Sequence, residues 1–519
     1  MIELELKVLL EDERAARALA ARPARLGLAV GPTFRKSLKS VYFDTPDRAL
    51  AEARIALRLR KSGRSWLQTV KRGAQAAGGL FRMEEDERPA PGGRLDIAAI
   101  GDPALRDAVE TTLGDDALVA LFETDMRRAK VELALPSGRV ELAVDSGRIV
   151  AGDREIPLHE AEFELLDGAP AAVYEAAASL LSEGGWRLSE RSKAERGHAL
   201  ALHQPALPRP DPARAARPGF SPEASTEAAA AAALRSCLTQ IDANMAACLA
   251  SDDPGGPHQL RVGLRRLRSA LSLFRDALAG PRAEALAETA RLLAATAGGL
   301  RDLDVQIEEV LRPRAADPQA PDAAGFGALA DALDTRRDAA RDALRRALRG
   351  APARSLLLDL SAFVALRGWL RPEDHGQTGR LALPVRDAAS KALQRRWKKA
   401  RRAAAGLQDL DVEARHVLRK ELKKLRYGVE FLAPAFAPED VKPFRKDLKR
   451  LQDLFGSLND IASAEALFGG EHPPCAGDGQ AQRAAGRLLG ELARRVDDDW
   501  ALAQVGWEAL SRRRPFWKT

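Results

Sequence analysis

Cysteine is scarce in this chain: Cys237, Cys248 and Cys475 stand far apart, with no CxxC pair among them. That excludes a disulfide framework and a cysteine-based zinc site, and it suits a reducing compartment. Long apolar runs are missing too. None approaches the roughly 20 residues that a spanning helix requires, so no membrane partner is expected. Glu3 already belongs to a strand-like alternation, which leaves no room for a signal peptide, and the cytoplasm is the expected address. Aromatics make up only 5% of the residues and are not interleaved with the basic stretches, so nucleic-acid binding through a stacking platform is not expected.

What is present is length and charge. The 519 residues exceed what one hydrophobic core organises, so two or more domains are expected. Residues 1–203 hold 30 Lys+Arg against 33 Asp+Glu, leaving 51 against 41 for the rest. The excess of base therefore sits in the C-terminal part and favours a polyanionic partner there. Between the two parts, QPALPRPDPARAARPGFSP at 204–222 repeats proline and reads as an extended linker. Upstream of it, Val, Phe and Thr runs broken by Gly and Pro read as strands with a few helices, one near 171–184. Downstream, Ala, Leu and Arg recur at helical period, with turn signals at 252–257 and 348–352.

Glu3, Glu5 and Lys7 alternate with Ile2, Leu4 and Leu6, so a strand there turns two carboxylates and an ammonium to one face. Glu160, Glu162 and Glu164 repeat the pattern downstream, and the strand-like segments between them carry Arg58, Arg60, Lys71 and Arg128. If these strands close into an antiparallel barrel, the lumen is lined by acid on one side and base on the other, which suits an oligophosphate with its divalent cation. The alternative for each ladder alone is a solvated strand face.

A second signal is a repeat at an offset of 158 residues: His258, Arg261, Arg265, Arg266 and Arg268 return as His416, Arg419, Lys423, Lys424 and Arg426. Further on, Gly298, Arg301 and Asp302 return as Gly456, Asn459 and Asp460. On a helix, His258, Arg261, Arg265 and Arg268 fall within an arc of roughly 80°, opposite Leu260, Leu264, Leu267 and Leu271. Arg261, Arg265 and Arg268 have no acidic residue at i±4, so an external anion is expected to compensate the stripe. For the two histidines, capping or packing competes with a donor role toward phosphate. Asp302 and Asp460 are expected as buried partners of the stripe, ahead of caps or metal ligands.

Residues 1–203 resemble the CYTH domain, the triphosphate tunnel fold of inorganic triphosphatases, thiamine triphosphatases and class IV adenylyl cyclases. The resemblance rests on ELELK at 3–7, YFDTPD at 42–47, LRLRK at 57–61, QTVKR at 68–72, EAEFEL at 160–165 and SKAERG at 192–197. Residues 223–512 resemble the CHAD domain, a helical module associated with inorganic polyphosphate. Here the matching segments are HQLRVGLRRLRSAL at 258–271, GLRDLDV at 299–305, HVLRKELKKLRYGVEFL at 416–432 and LQDLFGSLNDIA at 451–462.

The fold class that follows is α+β and multidomain: an antiparallel β-barrel tunnel over 1–203, the linker, and an all-α bundle over 223–512 with repeat units near 223–350 and 380–512. The resemblance implies that Glu3, Glu5, Glu162 and Glu164 hold a divalent metal, Mg²⁺ or Mn²⁺, with Glu85 and Glu87 as a further acidic pair. It implies that Lys7, Arg58, Arg60, Lys71, Arg128 and Lys193 grip phosphate as catalytic cations, and that Arg82 and Arg196 add to substrate binding. In the helical part, His258, Arg261, Arg265, Arg266, Arg268, His416, Arg419, Lys423, Lys424 and Arg426 are the implied polyphosphate ligands. The expected activity is metal-dependent hydrolysis of inorganic triphosphate to diphosphate and phosphate, with polyphosphate bound by the helical part. Because no Ser-His-Asp set or reactive Cys is signalled, attack by water suffices and a covalent intermediate is unnecessary. The alternatives are thiamine triphosphate hydrolysis, cyclisation of ATP, or a non-catalytic polyphosphate adaptor.

Overall fold

Strict alternation of charged and apolar residues decides the first third of the chain. The structure, a computed structural model, describes residues 2–518 apart from 74–77, 182–184, 208 and 472; the side chains of Ser457, Asn459 and Asp460 also lie outside the described residues. Two compact units are formed, one from residues 1–211 with 349–368, the other from 212–348 with 369–519.

In the first unit the strands are β1 (Ile2–Leu10), β2 (Ala29–Asp44), β3 (Ile55–Ser62), β4 (Ser65–Arg72), β5 (Leu80–Pro89), β6 (Val119–Leu135), β7 (Gly138–Ala151), β8 (Arg154–Gly168) and β9 (Trp186–Leu188). Their order is β5-β4-β3-β2-β6-β7-β8-β1, with β9 beside β1. β1 also pairs with β5, Ile2 opposite Glu84 through Leu6 opposite Leu80, so eight antiparallel strands close into the expected barrel.

Register brings the charges together, because residues directly opposite on neighbouring strands share a face. Glu5 stands opposite Glu164 and Lys7 opposite Glu162. Asp145 stands opposite Glu160, Tyr42 opposite Arg58 and Lys71 opposite Glu85. The intervening apolar residues turn outward: Leu57 and Val70 meet Ile100, Leu105 and Val109 under the helix Pro103–Leu113. The lumen itself changes character along its length, since Tyr42, Phe122, Met126, Ile149 and Leu158 pack with Leu200 into an apolar plug.

Leu200 belongs to the helix Lys193–Ala201, whose start is written in the sequence. The Ser192 side chain accepts from the Glu195 amide while Glu195 accepts from the Ser192 amide, a reciprocal cap that sets Lys193 at the first helical position. Gly197 lets this helix lie on the Phe122 ring, which an added Cβ would enter at 2.0 Å.

The second unit is helical. Helices Thr226–Ala250, Gly255–Leu273 and Pro281–Asp304 form one triplet, and Val385–Ala403, Val412–Leu432 and Pro438–Phe468 form the other, packed in the same order. Leu260, Leu264, Leu267 and Leu271 are buried, as are Leu418, Leu422, Leu425 and Val429, so both apolar stripes face the core as their periodicity requires. The stretch 212–220 in this unit carries no helix or strand and is tied down at one point: Asn244 receives the Ala213 amide at 3.0 Å and donates to its carbonyl at 2.8 Å. No helix among the described residues is long and apolar enough to cross a membrane.

Candidate functional site

A cavity of about 840 Å³ occupies the charged half of the barrel. Glu3, Glu162 and Glu164 line it together with Lys7, Arg58, Arg60, Lys71, Arg128 and Lys193; Glu85 and Glu87 lie in the same wall. Glu5, 1% exposed, sits behind Lys7, whose Nζ is 2.7 Å away. The four ladder carboxylates thus converge inward.

Within the cavity the charges sort into three groups. The first is compensated. Lys193 Nζ lies 2.8 Å from Asp145 and 2.8 Å from Glu162 and also touches Glu160. Arg128 bonds both Asp145, at 2.6 Å, and Glu162, at 2.7 Å. Lys7 donates to Glu162 at 2.7 Å. Burial disfavours the charges of Asp145, Glu162, Lys7, Arg128 and Lys193, yet the pairing overrides it. Asp145 is held at a pKa of about 2 by Arg128 and Lys193. Glu162 is held well below the usual carboxylate range by Lys193, Lys7 and Arg128, and Lys7 is held well above the usual lysine range by Glu162 and Glu5.

The second group is acid in excess. Burial and the neighbouring carboxylates Glu3, Glu141 and Glu5 push Glu164 up to about 7. Burial likewise raises Glu5, against Lys7, and raises Glu3, against Lys71 at 2.6 Å. Among the described residues Glu5 Oε1 receives no directed hydrogen bond despite its proximity to Lys7. Carboxylates whose ionised form burial disfavours even beside a lysine are what a divalent cation stabilises.

Asp145, Glu160 and Glu162 also bring ligand atoms within 4.8 Å of one another. Lys193 and Arg128 already pair with those carboxylates, whereas burial disfavours the charge of Glu3, Glu5 and Glu164. The buried acidic wall can bind a metal ion.

The third group is base in excess. Arg60 makes no ion pair among the described residues, only a 3.4 Å contact to Ser40 Oγ, and burial with Arg58 and Arg128 nearby lowers it to about 10. Arg58 bonds Tyr42 Oη at 3.3 Å and lies 4.0 Å from Glu85. Burial opposes ionisation of Tyr42, but Arg58 and Arg60 draw its pKa down.

Two expected ligands fall outside the lumen. Arg82 is exposed, between Phe81 and Met83, whose buried side chains face inward. It is an exterior residue, because side chains alternate along β5. Arg196 is 1% exposed and bound to Glu160; it braces the carboxylate that Lys193 also touches and does not line the cavity. Conversely, no sequence pattern points to Asp145, and Tyr42 enters only as the first residue of YFDTPD. Only the register of β7 against β8 places Asp145 beside Glu160.

In the second unit the two cationic stripes meet. Burial, the guanidiniums of Arg265 and Arg261 on the facing helix, and those of Arg419 and Arg426 on its own helix bring Lys423 down to about 7. Arg265 is lowered by burial and by Arg261, Arg268 and Arg426, with Tyr427 opposing. His258 and His416 lie at the same face, both lowered by burial and neighbouring cations. Asp302 does pair with Arg261, at 2.7 Å, but on the surface, 57% exposed, rather than buried.

Arg266 leaves the stripe: it is 2% exposed, donates to Gln240 Oε1 at 2.8 Å and stacks on Phe431. Its counterpart Lys424 is exposed and pairs with Glu421. Both are one residue, or about 100°, off the stripe. The Asp460 expectation concerns a side chain outside the described residues.

Residues 1–198 match the CYTH domain family model and residues 232–469 the CHAD domain model. The chain joins a CYTH domain to a CHAD domain. An inorganic triphosphatase of Haemophilus influenzae is 29% identical over 177 residues, 32% of this chain and 47% of that protein. The match spans about half the length of this curated relative. Among solved structures, the CHAD domain of the plant Ricinus communis is 28% identical, covering 59% of this chain and 98% of its own with a TM-score of 0.49. A Hippeastrum protein described as having a dominant triphosphatase activity is 19% identical, covering 40% of this chain and 98% of its own with a TM-score of 0.30.

Proposed function

We propose that the CYTH barrel hydrolyses inorganic triphosphate to diphosphate and phosphate, and that the CHAD domain binds polyphosphate. The observation that carries the reading is the separation of charge within one cavity: Glu3, Glu5 and Glu164, whose ionised form burial disfavours, on one wall, and Arg60, which makes no ion pair among the described residues, on another. A phosphate chain with its metal satisfies both walls at once. The relative named inorganic triphosphatase supports the same reading.

Glu3, Glu5 and Glu164 would hold the divalent cation, Mg²⁺ or Mn²⁺, which supplies charge neutralisation and a polarised water. Arg58 and Arg60 bind and orient the chain, with Tyr42 fixing the Arg58 guanidinium. Lys7, Arg128 and Lys193, preorganised by Glu162 and Asp145, meet the charge that develops on the equatorial and leaving oxygens. Lys71, between Glu3 and Glu85, can exchange carboxylate for phosphate. Glu87 receives the Thr69 hydroxyl at 2.9 Å and lies at the exposed rim.

One observation favours an organic leaving group: Ile2, Met83, Leu165 and Leu202 give the cavity an apolar side. Phosphate release from tripolyphosphate, ATP and thiamine triphosphate, each with Mg²⁺ and with Mn²⁺, separates the readings. Release from tripolyphosphate well above the other two is expected. Absence of metal-dependent release from all three overturns the enzymatic reading and leaves a polyphosphate adaptor.

A further inference from the structure

The helix Ala171–Leu180 is buried over more of its circumference than a one-sided helix. Ala172, Val173, Ala176, Ala177 and Leu180 are each 0% exposed and Tyr174 6%. At about 100° per residue these positions span an arc of roughly 200°, against about 100° for a helix lying on a single layer. The barrel covers one side of it. The other side is covered by the helix Ala351–Ala365, which comes from the middle of the stretch matched to the CHAD model and yet belongs to the barrel unit. Its Leu356, Leu357, Leu360 and Phe363 are each 4% exposed or less.

One polar chain crosses this apolar contact. Ser361 Oγ donates to the Gly78 carbonyl at 2.7 Å and lies 2.8 Å from Tyr174 Oη. Since the serine proton is used on Gly78, the tyrosine hydroxyl is the donor to Ser361. Ser361 is 1% exposed, so neither partner has water as a substitute. The next residue, Gly79, receives the Lys7 amide at 2.8 Å, and its φ of +84° brings its backbone so near that a Cβ would stand 3.0 Å from the Lys7 carbonyl. Lys7 is the ammonium shared by Glu5 and Glu162 in the cavity.

We propose that the helix Ala351–Ala365 is an integral part of the catalytic unit, and that Ser361 is a positioning residue which, through the Gly78 carbonyl, holds the turn that fixes Lys7. The barrel unit thereby includes a segment that the chain reaches only after the first CHAD triplet. The catalytic consequence rests on the triphosphatase reading; the positioning itself does not.

Hydrogen exchange on the full chain, without substrate, tests the positioning. Ser361→Ala is expected to accelerate exchange on the order of tenfold in the peptides covering 2–10 and 78–89, while the peptide covering 412–432 keeps its wild-type rate. Ser361→Thr, which keeps the hydroxyl, restores most of the protection. Tyr174→Phe gives a smaller change in the same peptides and serves if Ser361→Ala yields little folded protein. With tripolyphosphate, Ser361→Ala lowers kcat several-fold while KM changes by less than twofold, and Ser361→Thr recovers kcat.

Wild-type exchange of both peptides in Ser361→Ala overturns the proposal. So does uniform acceleration across the whole barrel, which marks general destabilisation instead. An inactive wild-type protein with the expected exchange pattern would remove the triphosphatase reading and leave the positioning intact.

Discussion

In the CYTH barrel most buried cations meet a carboxylate across the sheet, whereas Arg265, Arg268 and Lys423 of the CHAD helices have no ion pair among the described residues. The difference follows from geometry. Antiparallel strands place opposite charges within reach at every second residue, so a barrel can store both signs in its interior and remain close to neutral. Two helices that each present one cationic stripe can only add like charge when the stripes meet. The barrel therefore holds most of its charge in pairs, whereas Arg265, Arg268 and Lys423 keep like charge side by side on the helical face. Even in the barrel compensation is incomplete at Glu3, Glu5 and Glu164, and at Arg60, and those departures mark the proposed ligand walls.

The largest effect is expected from breaking the compensated group. Glu162→Gln leaves Lys7, Arg128 and Lys193 facing one another without their common carboxylate, at a cost of about 3–5 kcal/mol by analogy with other broken buried pairs. Thermal or urea unfolding of the full chain reads it. Glu5→Gln sharpens the contrast. A carboxylate whose pKa burial has raised is more easily replaced by its neutral isostere, so stability is expected to hold within about 1 kcal/mol while metal-dependent phosphate release falls by about 100-fold or more. Equal destabilisation by the two substitutions would erase the distinction between compensated and excess acid.

On the helical side, Arg265→Glu with Lys423→Glu is expected to abolish polyphosphate binding measured by calorimetry, while triphosphate hydrolysis stays within about threefold of wild type. Collapse of hydrolysis in the folded double variant would mean that the two domains are coupled.

A smaller effect concerns pH. Lys423 is lowered from 10.5 to about 7, so over that range the unfolded chain holds more proton at this position than the folded one, and its contribution to stability improves as pH rises. A bound polyanion reverses the penalty and draws a proton in. Affinity is therefore expected to fall several-fold as pH rises from about 6.5 to about 8.5, and Lys423→Arg to remove the part of that fall above pH 7. The smallest effect is predicted for Arg82→Ala, less than twofold on either activity or polymer binding, because the side chain lies outside the barrel.

Much of the site was legible because a strand has period 2. The ladders Glu3, Glu5, Lys7 and Glu160, Glu162, Glu164 required only that alternation, and the same parity would have excluded Arg82, which is one residue out of phase with Glu85 and Glu87. The stripe obeyed helical period for the same reason, and Arg266 and Lys424 depart from it by a single residue. Lys193 came from the resemblance carried by SKAERG at 192–197, and the Ser192 and Glu195 cap is what sets it at the start of its helix. Asp145 was not legible, since nothing nearby in sequence distinguishes it from an ordinary strand acid; its meaning comes from Glu160 across the sheet and Lys193 on a helix.

The sequence alone thus determined periodicity, and with it which side chains share a face and the doubling of the helical unit. Only the tertiary structure decided which faces meet: that β1 closes on β5, that the two stripes converge, and that Ala351–Ala365 completes the barrel unit. The physical reason is range. Local patterning fixes orientation about one strand or helix axis, whereas charge balance and burial depend on partners up to 283 residues away, as Ser361 is from Gly78.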